Sequence, residues 1–241
     1  MAPRSTAQPQ VGVSFSTDGI AAETRQQYMK LPTVRRDELI NELEAIYVGL
    51  FQVFSRQILD ERVLAAYGMP DWHEDITREH LPDLHELHGA DQVLAFHHYA
   101  INGVAPNAIW DFIYNIEDIE AFIAQALASS HANADVPWPI RSLRVFDTAR
   151  ARLSLDLEAG AFTDINDGLS CSPYLSLFEV ALLAGMSERS VRNATLASAR
   201  DRLQTEREGH YTVVAPHEAL RWLRGRRGFI ETRFDDAEAA S

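Results

Sequence analysis

Between Ser176 and Ala199 the chain carries a pattern that leaves few folds open: a capped apolar helix, a glycine, a second cap and a second helix. Ser176-Leu177-Phe178-Glu179 is a capping box, in which hydroxyl and carboxylate each satisfy an orphan amide of the first turn. The apolar run Val180–Leu183 continues that helix. Gly185 stops it, because a residue without a Cβ takes the left-handed conformation at little cost. Ser187 then caps a second helix, expected from Glu188 to about Ala199. Ala181 is small where the two helices must cross, and Met186 fills the space behind the turn. Val191 and Ala194, three residues apart, give the second helix an inward face.

What remains outward on the second helix is Glu188, Arg189, Arg192, Asn193, Ser198 and Arg200. Arginine pairs with guanine O6 and N7, and asparagine with adenine N6 and N7. Each is a bidentate contact worth about 1–3 kcal/mol of discrimination. A helix carrying these groups near its N-terminus suits the major groove of duplex DNA.

The next residues extend the pattern. Leu203–Glu208 and Tyr211–Val214 alternate as two short strands around Gly209-His210, a β-hairpin. Pro216 then opens a third helix at the position where a missing N–H costs nothing. Arg224-Gly225-Arg226-Arg227-Gly228 follows as a basic stretch suited to phosphate. Residues 175–224 resemble the winged helix-turn-helix domains of the excisionase and MerR-like families. The likeness is carried by EVALLAGMSERSVRN at 179–193, the hairpin, and PHEALRWL at 216–223. It implies that Arg189, Arg192 and Asn193 face the groove, and that Arg207 and His210 in the wing approach the DNA backbone. Unlike those families, this chain carries the motif behind a long acidic region.

That acidity does not exclude a nucleic acid. The formal net charge is −13, but between residues 174 and 233 ten arginines stand against seven acids. The distribution matters more than the sum. Lys30 is the only lysine. The single cysteine, Cys171, excludes an internal disulfide and fits a reducing compartment. No apolar run approaches the roughly 20 residues that cross a bilayer, and no charged-then-apolar leader opens the chain. The sequence therefore points to the cytoplasm and to no membrane partner.

The fold class expected is mainly α: an N-terminal all-helical domain plus a C-terminal winged helix-turn-helix with a small β-hairpin. Residues 1–34, rich in Ser, Thr, Gln and Pro, read as a disordered tail. From Arg35 to about Tyr67, Leu39, Leu43, Ile46, Leu50 and Val53 form one apolar row. Ile40, Tyr47, Phe51, Phe54 and Ile58 form a second, and Gly68 and Pro70 close the helix. This helix serves as core or as a dimerisation element. Asp91–Ile101 and Pro106–Ala128 are also helical by spacing, the latter divisible at Asn115. Residues 35–130 thus read as one helical domain and 131–139 as a linker. Residues 140–232 read as the DNA-binding unit, including a helix at about Ile140–Leu157 and a Gly/Asp/Ser-rich loop reaching Pro173. Residues 233–241 read as an acidic tail.

His73, His80, His85, His88, His97 and His98 invite a metal. They lack a cysteine and straddle Pro82, whereas a site needs three or four converging ligands, so no metal is expected. Titration near neutrality gives them at most an acid-sensing role. Glu117, Asp118 and Glu120 lie on a helix surface, and no phosphate loop or nucleophile elbow is present. No catalytic residues, enzyme activity or cofactor are expected. The sequence reads as a DNA-binding transcriptional regulator. A homodimer is expected, because operators are often two-fold. The helical domain is free to meet an effector or protein partner. An architectural recombination factor and a protein-interaction module without DNA affinity are the alternatives.

Overall fold

The computed structural model describes residues 27–31, 33–57, 75–105, 109–158 and 174–233. The chain is mainly helical with one small antiparallel sheet. Expectations on residues 1–26, 58–74, 106–108, 159–173 (Cys171 included) and 234–241 lie outside the described residues.

Helix α1 spans Arg36–Gln57, with Asp37 and Glu38 in its first turn and Arg56 in its last, charges that complement the helix dipole. Leu39, Leu43 and Ile46 are fully buried, while Ile40 and Tyr47 pack beside them. Toward the end of the helix Leu50, Phe51 and Val53 are half-buried, and Phe54 is 44 % exposed. After two 3-10 turns (Arg78–His80 and Leu84–Glu86), α2 spans His88–Asn102. Helix α3 spans Ile109–Ala132 without a break at Asn115. Helix α4 spans Ile140–Glu158. No helix among the described residues is long and apolar enough to cross a membrane.

Helix α4 corrects the expected boundary. It gives Leu143, Phe146, Ala149 and Leu153 to a first core shared with α1, α2 and α3. Its opposite side gives Ala151 and Leu155 to a second core with the C-terminal elements. A helix apolar on two sides must be covered on both, so it is the common wall of two cores and not the start of a separate unit. The expected linker is a packed turn. Val136 is buried, and Ser130 Oγ donates to the carbonyls of Ala126 and Pro137, both at 2.7 Å. Glu42 of α1 caps α4, accepting from the Arg141 and Ser142 amides at 2.8 Å each. Burial pushes the Glu42 carboxyl above its ordinary range, against the pull of these bonds.

The described part of the expected N-terminal tail is ordered too. Tyr28 is fully buried, donates to Asp147 Oδ2 at 2.9 Å and meets the Phe178 ring edge-on at 5.6 Å. Arg144 holds the carbonyls of Tyr28 and Leu31, and His97 Nε2 donates to the Val34 carbonyl at 2.7 Å. Residues 27–31 and 33–34 therefore form an arm laid across both cores. The polar composition conceals it because only Tyr28, Met29 and Val34 carry the packing.

Beyond α4 come β1 (Leu175–Ser176), α5 (Leu177–Ala184), α6 (Glu188–Ala194), β2 (Glu206–Glu208), β3 (Tyr211–Val214) and α7 (Pro216–Leu223). The strands form one sheet in the order β1-β3-β2, with Leu175 opposite Val214 and Glu206 opposite Val213. The sequence reading missed β1, a strand of two residues with no alternation to detect.

Candidate nucleic-acid interface

Helix α5 starts as its residues require. Ser176 Oγ accepts from the Glu179 amide at 3.2 Å, and Glu179 Oε2 accepts from the Ser176 amide at 2.7 Å. It ends at Gly185, whose φ of 61° is left-handed, and the Met186 amide returns to the Ala181 carbonyl at 3.0 Å. Ser187 caps α6, its Oγ accepting from the Ser190 amide at 3.2 Å. Val191 is fully buried in the second core, which fixes the roll of α6 about its axis. Arg189, Arg192 and Asn193 are consequently exposed, with Glu188 half-buried at the helix start.

The second helix is shorter than expected. It stops at Ala194, and a series of turns follows through Ala199. The cause lies further along the chain. Leu203 is fully buried, and its amide takes the Ala194 carbonyl at 2.9 Å, so the backbone must double back within a few residues. Arg200 sits in this turn region and Ser198 is exposed there, neither on the helix. The same turn leaves Leu196 exposed beside α6, an apolar group that no periodicity argument singles out.

The cations differ in what already holds them. Arg192 Nη2 meets Glu188 Oε1 at 2.6 Å, one turn earlier. Arg189, Arg200, Arg207 and Arg227 are exposed and form no ion pair among the described residues. Arg224 pairs with Glu231 at 2.6 Å, which raises its pKa. Arg226 departs from the expectation of a phosphate-binding stretch. Its guanidinium lies 3.9 Å from the centre of the buried Trp222 ring and pairs with Asp201. It therefore packs against the fold, and of the three arginines only Arg227 is unpaired.

Asp201 is the residue the sequence reading overlooked. It binds Arg226 and, at 3.1 Å, Arg221, while its carbonyl accepts from Trp222 Nε1 at 3.1 Å. Arg221 also grips Glu218 at 2.7 and 2.8 Å, and Glu218 accepts from the Gln204 amide at 2.8 Å. The hydrogen bonds from Arg221 hold the Glu218 carboxyl below its ordinary range. This network pins the 195–205 loop to α7. One acid within a cationic run was the signal available.

The hairpin has two unlike faces. Arg207 lies opposite Thr212 on one, whereas Glu206/Val213 and Glu208/Tyr211 share the other. Glu206 and Glu208 act on Tyr174, where the Glu206 charge pushes the phenol up. Gly209, with φ 59°, and His210 form the tip, and His210 is exposed.

The described histidines do not converge. His85 meets Asp91 at 2.6 Å, His88 meets Asp118 at 3.1 Å, and His97 is spent on the arm. Among the described residues no three His, Cys, Asp or Glu side chains gather where they could hold a metal ion. The chain matches no protein-family model, no curated protein and no solved structure.

Proposed function

We propose that residues 175–227 are a winged helix-turn-helix module that binds duplex DNA sequence-specifically, and that the protein regulates transcription. In this reading α6 enters the major groove. Arg189, Arg192 and Asn193 reach base edges, and Leu196 touches a thymine methyl. Arg200, Arg207 and Arg227 contact phosphates, with His210 close to the backbone at the tip of the wing. Only the Arg207 face of the wing can approach DNA, because Glu206 and Glu208 repel it from the other side. Two copies on a two-fold operator are the natural arrangement. The observation that carries the reading is the roll of α6: Val191 is fully buried while Arg189, Arg192 and Asn193 are exposed together behind a sharp glycine turn.

The test is selection of a random duplex library with the full chain, followed by titration of the enriched sequence. Asn193→Ala and Arg189→Ala should each cost about 1–3 kcal/mol on that duplex and far less on one altered at the base each residue reads. Arg207→Ala should weaken all duplexes alike and reduce the salt slope by about 1. No enriched sequence, or variants that bind every duplex as wild type does, would end this reading.

A further inference from the structure

After α7 the chain does not leave the fold but recrosses it. Gly228 passes against the end of α5, where a Cβ would collide with the Ala184 carbonyl. That contact is backbone on backbone, at the turn that aims α6. Phe229 packs into the second core. The Ile230 carbonyl then accepts from Arg152 Nη1 of α4 at 2.6 Å. Thr232 Oγ1 accepts from the same nitrogen at 3.1 Å and donates to Asp156 Oδ2 at 2.8 Å. Asp156 Oδ2 also accepts from Tyr99 of α2 at 2.6 Å. Finally Arg233 joins the end of α2 as a short parallel bridge. Its amide donates to the Gly103 carbonyl at 2.7 Å, and its carbonyl accepts from Ala105 at 2.9 Å.

Arg152 and Asp156 are both buried, 3 % and 8 % exposed, yet they form no direct ion pair, and the Thr232 hydroxyl joins them. Arg152 Nε has no partner. Buried charges tolerate little loss of their hydrogen bonds. If the segment lifts away, the Ala100 carbonyl at 3.3 Å is the one hydrogen bond left to Arg152, beside its approach to the Tyr99 ring at 5.9 Å. Lifting the segment away would therefore be costly, and these bonds hold it in its seat.

We propose that residues 228–233 are a tether through which the helical core sets the position of the α5–turn–α6 unit. Seated between α2 and α4, the tether holds the Gly185 turn. Unseated, it releases the turn, so a ligand or partner that disturbs the α2–α4 socket changes what α6 can reach. The consequence for DNA rests on the function proposed above, but the tether itself does not.

Amide hydrogen exchange on the full chain separates the two. Thr232→Ala should speed exchange about tenfold or more at residues 229–233 and also at Gly185–Val191, leaving Leu39–Ile46 of α1 unchanged. Thr232→Ser, which keeps the hydroxyl, should stay within about twofold of wild type. Should Thr232→Ala loosen α1 as well, Thr232→Val carries the same expectation, because it keeps the side-chain shape and deletes the hydroxyl that joins Arg152 to Asp156. Faster exchange confined to 229–233, or none at all, overturns the tether. Titration of the selected duplex reads the consequence, with affinity falling in Thr232→Ala and restored in Thr232→Ser. A wild-type protein that binds no duplex removes the DNA reading, and the exchange pattern still decides the tether.

Discussion

The two cores treat polar side chains in opposite ways. The first buries Glu42, His97, Asp147, Arg152 and Asp156 in or beside its apolar cluster, and each is spent on a segment arriving from elsewhere. Glu42 fastens the start of α4, His97 and Asp147 fasten the arm, and Arg152 and Asp156 fasten the segment after α7. The second core is lined by Leu, Val and Ala around Trp222, with Glu218 at its margin. Apart from Arg226 its arginines lie outside, several of them without an ion pair among the described residues. Polar groups inside a fold specify where chain segments go, at a desolvation cost. Polar groups outside remain available to another molecule. By this measure the first region is the organiser, and the second is the one that the proposed DNA contact would use.

The strongest test of that contrast removes the anchor of the apolar side. Trp222→Ala empties a fully enclosed site and strips Arg226 of its stacking partner, and should cost about 3–5 kcal/mol. Because α4 walls both cores, calorimetry should still show one transition, shifted downward. Two separated transitions would mean that the cores are independent and the contrast is one of separate domains. A smaller effect concerns the organiser. Burial lowers the His97 pKa, so the ring is neutral in the folded chain and donates to Val34. The unfolded chain, with a pKa near the ordinary value of about 6.5, binds the proton more readily. The contribution of His97 is therefore present above that value and lost as pH falls through the folded pKa. The slope is at most about 1.4 kcal/mol per pH unit for one proton. Measured against His97→Gln, wild type should lose stability on going from neutral to mildly acid solution. A difference that does not vary with pH would remove His97 from the account. The smallest effect lies on the outer surface. The Glu188–Arg192 pair is exposed, and Glu188→Ala should change stability by only about 0.3–0.5 kcal/mol. The same change frees Arg192, so affinity for unrelated duplexes should rise while preference for the selected one narrows. A large loss of stability would show that this pair is structural after all.

Much of the second region was legible in the sequence because its signals are local. The Ser176–Glu179 box, Gly185, Ser187, the Gly209 tip and Pro216 each act within a few residues, and each terminates or starts an element where expected. What escaped depends on partners distant in the chain. The length of α6 is set by Leu203, the fate of Arg226 by Asp201 and Trp222, and the order of the arm by Asp147 and Phe178. Composition suggested that 131–139 separates two units. It could not reveal that the next helix carries Leu153 on one side and Ala151 and Leu155 on another. The exposed trio on α6 was readable for the same local reason as its turn. Beyond Asp201 in its cationic run, the sequence held no hint of which neighbouring arginines were already occupied.

The double-sided wall has a practical corollary for dissection. A fragment beginning after residue 158 would bare the patch that Ala151 and Leu155 now cover, and one that keeps the helix would bare Leu143, Phe146 and Leu153 instead. Either excision leaves sticky hydrocarbon in contact with solvent, an invitation to clump. The α5–turn–α6 unit is not a detachable cartridge.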